Sequence, residues 1–135
     1  MYLLDTNIVS ERMRKRPSRP VLAKLAETAD KPRYLSVISL RELRFGAALR
    51  GENTAVFWAA IEQRCLPLAA SLDFTAADAL VAGALSARLR QKGIGISEND
   101  LLLAAHALSR KLTFVTRNIR HFRGIENLSL ENWFD

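Results

Sequence analysis

Short runs of β-forming residues alternate along this chain with longer stretches of helical periodicity, and this alternation limits the fold more than any other feature. Tyr2-Leu3-Leu4, Tyr34-Leu-Ser-Val-Ile38, Cys65-Leu-Pro-Leu-Ala69, Leu112-Thr-Phe-Val-Thr116 and Leu128-Ser-Leu130 read as strands, with Tyr34–Ile38 rich in β-formers. Between them lie helix patterns. One begins near Ile8 and must stop before Pro17, because proline disfavours helical geometry in the residue before it. A second carries Val21, Leu22, Leu25 and Ala26 on one face. A third has Leu40, Leu43, Ala47 and Ala48 on its apolar side, with Ser39 as its expected cap and Gly51 near its end. Thr54 to Arg64 is a fourth, and Phe74-Thr75 opens a long fifth that Gly93 should end. The sixth starts at Ser97 and is apolar all round at Leu101-Leu-Leu-Ala-Ala105, so it is expected to be buried on most sides. Strands separated by helices predict an α/β fold, a three-layer α/β/α sandwich around a parallel sheet of about four or five strands. At 135 residues, with no repeat or linker, residues 1–135 read as one domain.

Charge narrows the class of partner. The formal net charge is +6. Basic residues cluster at Arg12, Arg14, Lys15 and Arg16 with Arg19, and again at Arg110, Lys111, Arg117, Arg120 and Arg123, a stretch without an acid. Such patches attract phosphate backbones by Coulomb forces and counterion release, though a solvated surface or a complement to an acidic protein gives the same composition. One Cys65 with only His106 and His121 offers neither a disulfide nor a zinc site. No apolar run approaches the roughly 20 residues of a membrane span, and Asp5 interrupts the start too early for a secretory leader. A cytoplasmic protein is the expectation.

Ligands of open α/β sheets bind beyond the carboxyl ends of the strands. Asp5 follows the first strand, Glu42 comes soon after the second, and Asn118 follows the strand ending at Thr116, while Asp100 lies in the first turn of the buried helix. Carboxylates gathered at one place raise each other's pKa unless a cation neutralises them, and hard cations such as Mg²⁺ prefer oxygen ligands. Singly, each residue has an ordinary alternative: Asp5 as a helix cap, Glu42 as a solvated residue between Arg41 and Arg44, Asp100 as part of a capping box begun by Ser97, and Asn118 as a turn residue.

Five ordered blocks raise the set above those alternatives. They are Leu4-Asp-Thr-Asn-Ile-Val-Ser10, Ser39-Leu-Arg-Glu-Leu-Arg-Phe-Gly46, Glu98-Asn-Asp-Leu-Leu-Leu-Ala-Ala-His-Ala-Leu108, Val115-Thr-Arg-Asn118 and Leu130-Glu-Asn-Trp133. With them the chain resembles the PIN-domain family and, within it, the VapC-type toxins of toxin–antitoxin pairs. The resemblance implies that Asp5, Glu42 and Asp100 hold a metal, with Asn118 at a fourth position that is often Asp. It also implies that Thr116 hydrogen-bonds the first aspartate and that Asn7 and Ser39 support the site. Where many relatives carry a further acid, this chain has His121, so three carboxylates stand where relatives can have four or five. The implied activity is endonucleolytic hydrolysis of RNA with Mg²⁺ (or Mn²⁺), leaving 5′-phosphate and 3′-hydroxyl ends, with Arg117 or Arg120 offsetting phosphate charge. The implied partners are a VapB-type antitoxin, with Phe57 and Trp58 as candidates for its groove, and a second copy of the chain. A non-catalytic RNA-binding module and a DNA nuclease remain as alternatives, and residue types alone leave the RNA target open.

Overall fold

The computed structural model describes residues 1–135. Five short strands form one parallel sheet: β1 (Tyr2–Leu4), β2 (Arg33–Ser36), β3 (Ala70–Leu72), β4 (Thr113–Val115) and β5 (Leu130–Glu131). Their spatial order is β3-β2-β1-β4-β5. From β1 the chain winds outward through β2 to β3, then returns to place β4 on the other side of β1, so the order reverses between β1 and β4. That switch point is where an open parallel sheet leaves a crevice at its carboxyl edge. The registers Leu4↔Val115 and Leu3↔Phe114 align the ends of both strands there.

Period-two alternation along the central strands divides the core. Leu3 and Phe114 belong to a cluster with Ala82, Leu85, Leu103 and Phe122. Leu4 and Val115 belong to the opposite one, with Ile8, Val21, Leu25 and Ile61. The first face is covered by α5 (Ala76–Gln91) and α6 (Glu98–Arg110), the second by α1 (Thr6–Val9), α2 (Arg19–Glu27), α3 (Val37–Ala48) and α4 (Thr54–Arg64). Three layers result, as expected. Phe57 and Trp58 are half-buried against the second cluster, their rings covered by Arg50 at 4.0 Å and Arg44 at 5.0 Å. They serve mainly as packing, and Phe45, Leu49 and Val56 are the exposed apolar residues of the α3–α4 pair.

Several boundaries differ from the sequence reading. The first helix is one α-turn continued as a 3₁₀ turn over Ser10–Met13, ending ahead of Pro17. Ser36, not Ser39, caps α3: its hydroxyl accepts the Ile38 N–H at 3.1 Å, and Val37 and Ile38 are helical despite their β-propensity. The third strand lies at Ala70–Leu72 because Pro67 sits in a 3₁₀ turn, Leu66–Leu68, where the strand was expected. The last strand is Leu130–Glu131 instead of Leu128–Leu130. Gly51 and Gly93, both at positive φ (58° and 71°), end α3 and α5 as anticipated.

Candidate active site

Asp5 leaves β1 at the switch point. Its backbone N–H still pairs with the sheet, donating to Val115 O at 2.9 Å, while its side chain caps α1 by accepting the Thr6 N–H at 2.8 Å. The second carboxylate oxygen accepts the Thr116 hydroxyl at 2.8 Å and, at 3.4 Å, the Asn7 amide. The Asn118 N–H in turn donates to the Thr116 hydroxyl at 3.1 Å, so that hydroxyl's proton is committed to Asp5. Asp5 is 6% exposed. Burial pushes its carboxyl above the ordinary value and the Asp100 charge adds to this, while the hydrogen bonds from Thr116 and Thr6 pull it down.

Glu42 projects from α3 one turn beyond Ser39. The Glu42 Oε1 atom and the Ser39 hydroxyl are both buried without a hydrogen-bond partner. Burial raises the Glu42 carboxyl, Asp5 and Asp100 raise it further, and the Asn99 side chain and Arg41 lower it. Asp100 sits in the first turn of α6, whose Ser97 cap accepts the Asp100 N–H at 3.2 Å. Its Oδ2 lies 3.1 Å from His121 Nδ1. The three carboxylates therefore act on one another electrostatically across the carboxyl edge of the sheet.

No three of these side chains form a finished ligand cage. Mg²⁺ does not require one: it is commonly bound through one or two carboxylates, keeping waters and taking phosphate oxygens from substrate. An unpartnered buried Glu42 oxygen near the raised carboxyl of Asp5, both hard donors, suits such an ion, because leaving a buried polar atom unpaired is otherwise costly.

Other anticipated residues fall around this centre. Asn118 is exposed at the start of a 3₁₀ turn, Ile119–His121, and is tied to the site through its backbone only. The Arg117 N–H donates to Asn7 Oδ1 at 3.3 Å. The Arg117 guanidinium lies over the Phe134 ring at 4.6 Å. Arg120 and Arg123 line a cleft with Asn118 and His121. The resemblance puts His121 where relatives carry an acid, but its contact with Asp100 arises only through folding. The nearness of Asn99 to Glu42 was likewise hidden, although it lies within the Glu98–Leu108 block.

A PIN domain family model matches residues 2–127. Ribonuclease VapC2 of Rickettsia felis is 35% identical over 144 residues, with 98% of each chain covered. The tRNA(fMet)-specific endonuclease VapC of Salmonella typhimurium is 28% identical over 98% of this chain and 97% of its own. In the crystal structure of VapBC2 from Rickettsia felis bound to a DNA fragment from their promoter, one chain matches with a TM-score of 0.88 at 34% identity, covering 98% of both. The family match and these likenesses over nearly the whole chain agree, and the chain belongs to the PIN-domain family, among its VapC-type ribonucleases.

Proposed function

We propose that residues 1–135 act as one domain, a Mg²⁺-dependent endoribonuclease that is the toxin of a toxin–antitoxin pair and is held in check by a VapB-type antitoxin. The observation that carries the catalytic part is the buried, multiply hydrogen-bonded Asp5 at the switch point, coupled in charge to Glu42 and Asp100. Names borne by the relatives support the activity, and a structural neighbour solved as a VapBC complex supports the partner.

Asp5, Glu42 and Asp100 are the residues to hold the divalent cation (Mn²⁺ serving in place of Mg²⁺), with Asn118 at the rim. Bound there, such an ion supplies a more acidic water and offsets charge on the scissile phosphate. Thr116 fixes the Asp5 carboxylate by donating its proton to one oxygen. The Thr6 N–H holds the other, and Asn7 braces both Asp5 and the Arg117 backbone. Ser39, with its hydroxyl unspent, supports the Glu42 side of the site. Arg117 and Arg120 meet the phosphates of the strand. The exposed Phe45, Leu49 and Val56 supply apolar surface for an antitoxin helix, and the family resemblance supports a cytoplasmic homodimer as the working form. No helix is long and apolar enough to cross a membrane.

The test is cleavage of end-labelled total RNA by the purified chain, with matched single-stranded DNA alongside. RNA cleavage is expected to stop with EDTA, return with Mg²⁺ or Mn²⁺, and be lost in Asp5→Asn while the fold is kept. Full activity of Asp5→Asn at saturating Mg²⁺ overturns the assignment, and binding without cleavage under every metal condition makes the chain a recruiting module.

A further inference from the structure

Two polar clefts have Arg117 and Asn132 in common, and one of them includes His121, which contacts Asp100. One, of about 340 Å³, is lined by Asn118, Arg120, Arg123, Arg117 and Asn132. The other, of about 410 Å³, is lined by Arg117 and Asn132 again, together with Arg14, Arg16 and Phe134. Between them they present five arginines against two carboxylates, Glu11 and Asp135, a net charge of +3. We propose that the two clefts form one track for the RNA backbone leaving the carboxylate site, with Arg14 and Arg16 as a phosphate subsite at its far end.

The proposal rests on the nuclease reading, and four observations support it. First, the near end joins the site covalently and through hydrogen bonds: Asn118 N–H to Thr116, Thr116 to Asp5, and Arg117 N–H to Asn7. Second, Arg16, Arg117, Arg120 and Arg123 are exposed and take part in no salt bridge within the chain. Third, the shared guanidinium is already placed. A cation–π contact, 4.6 Å from the guanidinium carbon to the Phe134 ring centroid, holds Arg117 at the cleft, and no ion pair within the chain occupies its guanidinium. Fourth, the far end is anchored from below. Glu11, 4% exposed, accepts the Ser18 N–H at 2.8 Å and pairs with Arg14 at 3.6 Å, while the Arg14 side chain stays 63% exposed. A buried acid that holds an exposed arginine spends charge on placement, since a surface pair of that length adds little stability. Three clustered carboxylates also repel a polyanion, and a cationic path beside them offsets that repulsion along the strand.

The experiment measures binding of fluorescein-labelled oligouridine to full-length Asp5→Asn chain, which leaves the RNA intact. A tetranucleotide is compared with a strand of about 12 nucleotides, long enough to span both clefts. Arg14→Ala with Arg16→Ala is expected to weaken the longer strand only. Each phosphate contact on a single strand contributes about 0.7 to the salt slope, so losing two lowers it by about 1.4. Raising salt from about 50 to 200 mM then costs the parent chain about sevenfold more affinity than the variant. Arg14→Lys with Arg16→Lys keeps the slope. Arg16→Glu, which disturbs no ion pair, weakens the longer strand in the same way should the alanine pair unfold. In cleavage by the otherwise wild-type chain, the alanine pair raises KM for the long strand and leaves kcat unchanged. An unaltered salt slope, or equal loss for both lengths, overturns the track. So does loss of antitoxin binding with RNA binding intact, which makes the far cleft the seat of an acidic protein segment. RNA cleavage that ignores Arg14 and Arg16 overturns the track and leaves the nuclease standing. Length-dependent binding without cleavage does the reverse.

Discussion

Asp5 does three jobs with two oxygens: it caps α1, receives the Thr116 hydroxyl and carries a charge that burial disfavours. Thr116 is what makes this compatible with a defined orientation. Its proton points to Asp5 because the Asn118 N–H occupies the hydroxyl oxygen from the other side. Thr116→Val keeps the shape and removes the donor. The expected result is a loss of about 10- to 100-fold in metal affinity or in RNA cleavage, as is usual when a residue orienting a metal ligand is removed. Cleavage rates titrated against Mg²⁺ check it: the half-saturating concentration rises and the melting temperature changes little, whereas an unaltered Mg²⁺ dependence shows that Thr116 only packs. The bond from Thr116 to Asp5 was expected only from the resemblance to PIN domains, because the pattern of residues does not show that the strand ending at Thr116 pairs with β1. The His121 contact with Asp100 was not expected. The resemblance places His121 at a position where relatives carry an acid but does not name its partner, and the pair forms across 21 residues through the packing of a 3₁₀ turn on α6.

At the scale of elements, α5 and α6 are clasped by charges that the function does not use. Asp78, fully buried in the first turn of α5, takes two hydrogen bonds from Arg110 of α6, both at 3.0 Å, and further bonds from Thr75 at 2.7 and 3.1 Å. The Arg110 guanidinium is the main reason its carboxyl lies far below the ordinary range. Beside it, His106 of α6 is fully buried, and burial lowers its pKa, so the ring is neutral. Its Nε2–H donates to Asp73 O at 3.0 Å, and its Nδ1 accepts the hydroxyl of Ser36, the cap of α3, at 2.8 Å. A carboxyl held down in the folded state adds stability above its unfolded pKa of about 3.9 and loses that contribution as pH falls toward its folded value. Arg110→Gln is therefore expected to melt well below wild type at pH 7, with the gap closing below about pH 4. Thermal melts across that range decide it, and a gap independent of pH assigns the loss to packing. Neither the clasp nor the histidine bridge was readable from the sequence: a buried acid and an arginine 32 residues apart look like two solvated charges until α5 and α6 pack. The same limit moved the α3 cap from Ser39 to Ser36, two serines in positions that local pattern cannot rank. By contrast α4 begins and ends where its pattern said, since helix periodicity is a local property.

Over the whole molecule, a body of net charge +6 encloses a site where like charges are held together. Burial and mutual repulsion raise both Asp5 and Glu42, so the ionised site works against the fold at neutral pH. A bound cation reverses that sign, because an ion that binds the folded chain and not the unfolded one stabilises by mass action. The gain is about 2.7 kcal/mol at about a hundredfold excess over its dissociation constant. Magnesium is therefore expected to raise the melting temperature above that in EDTA at matched ionic strength. Asp5→Asn is expected to lose most of the rise and, in EDTA at pH 7, to melt above the wild type because one repelling charge has gone. Screening makes the control necessary: surface arginines also respond to added salt, but they respond to sodium as well as magnesium and are indifferent to residue 5. An equal magnesium shift in wild type and Asp5→Asn places the ion elsewhere on the protein. A shift confined to the wild type ties the stability of the whole fold to the carboxylates at the edge between β1 and β4.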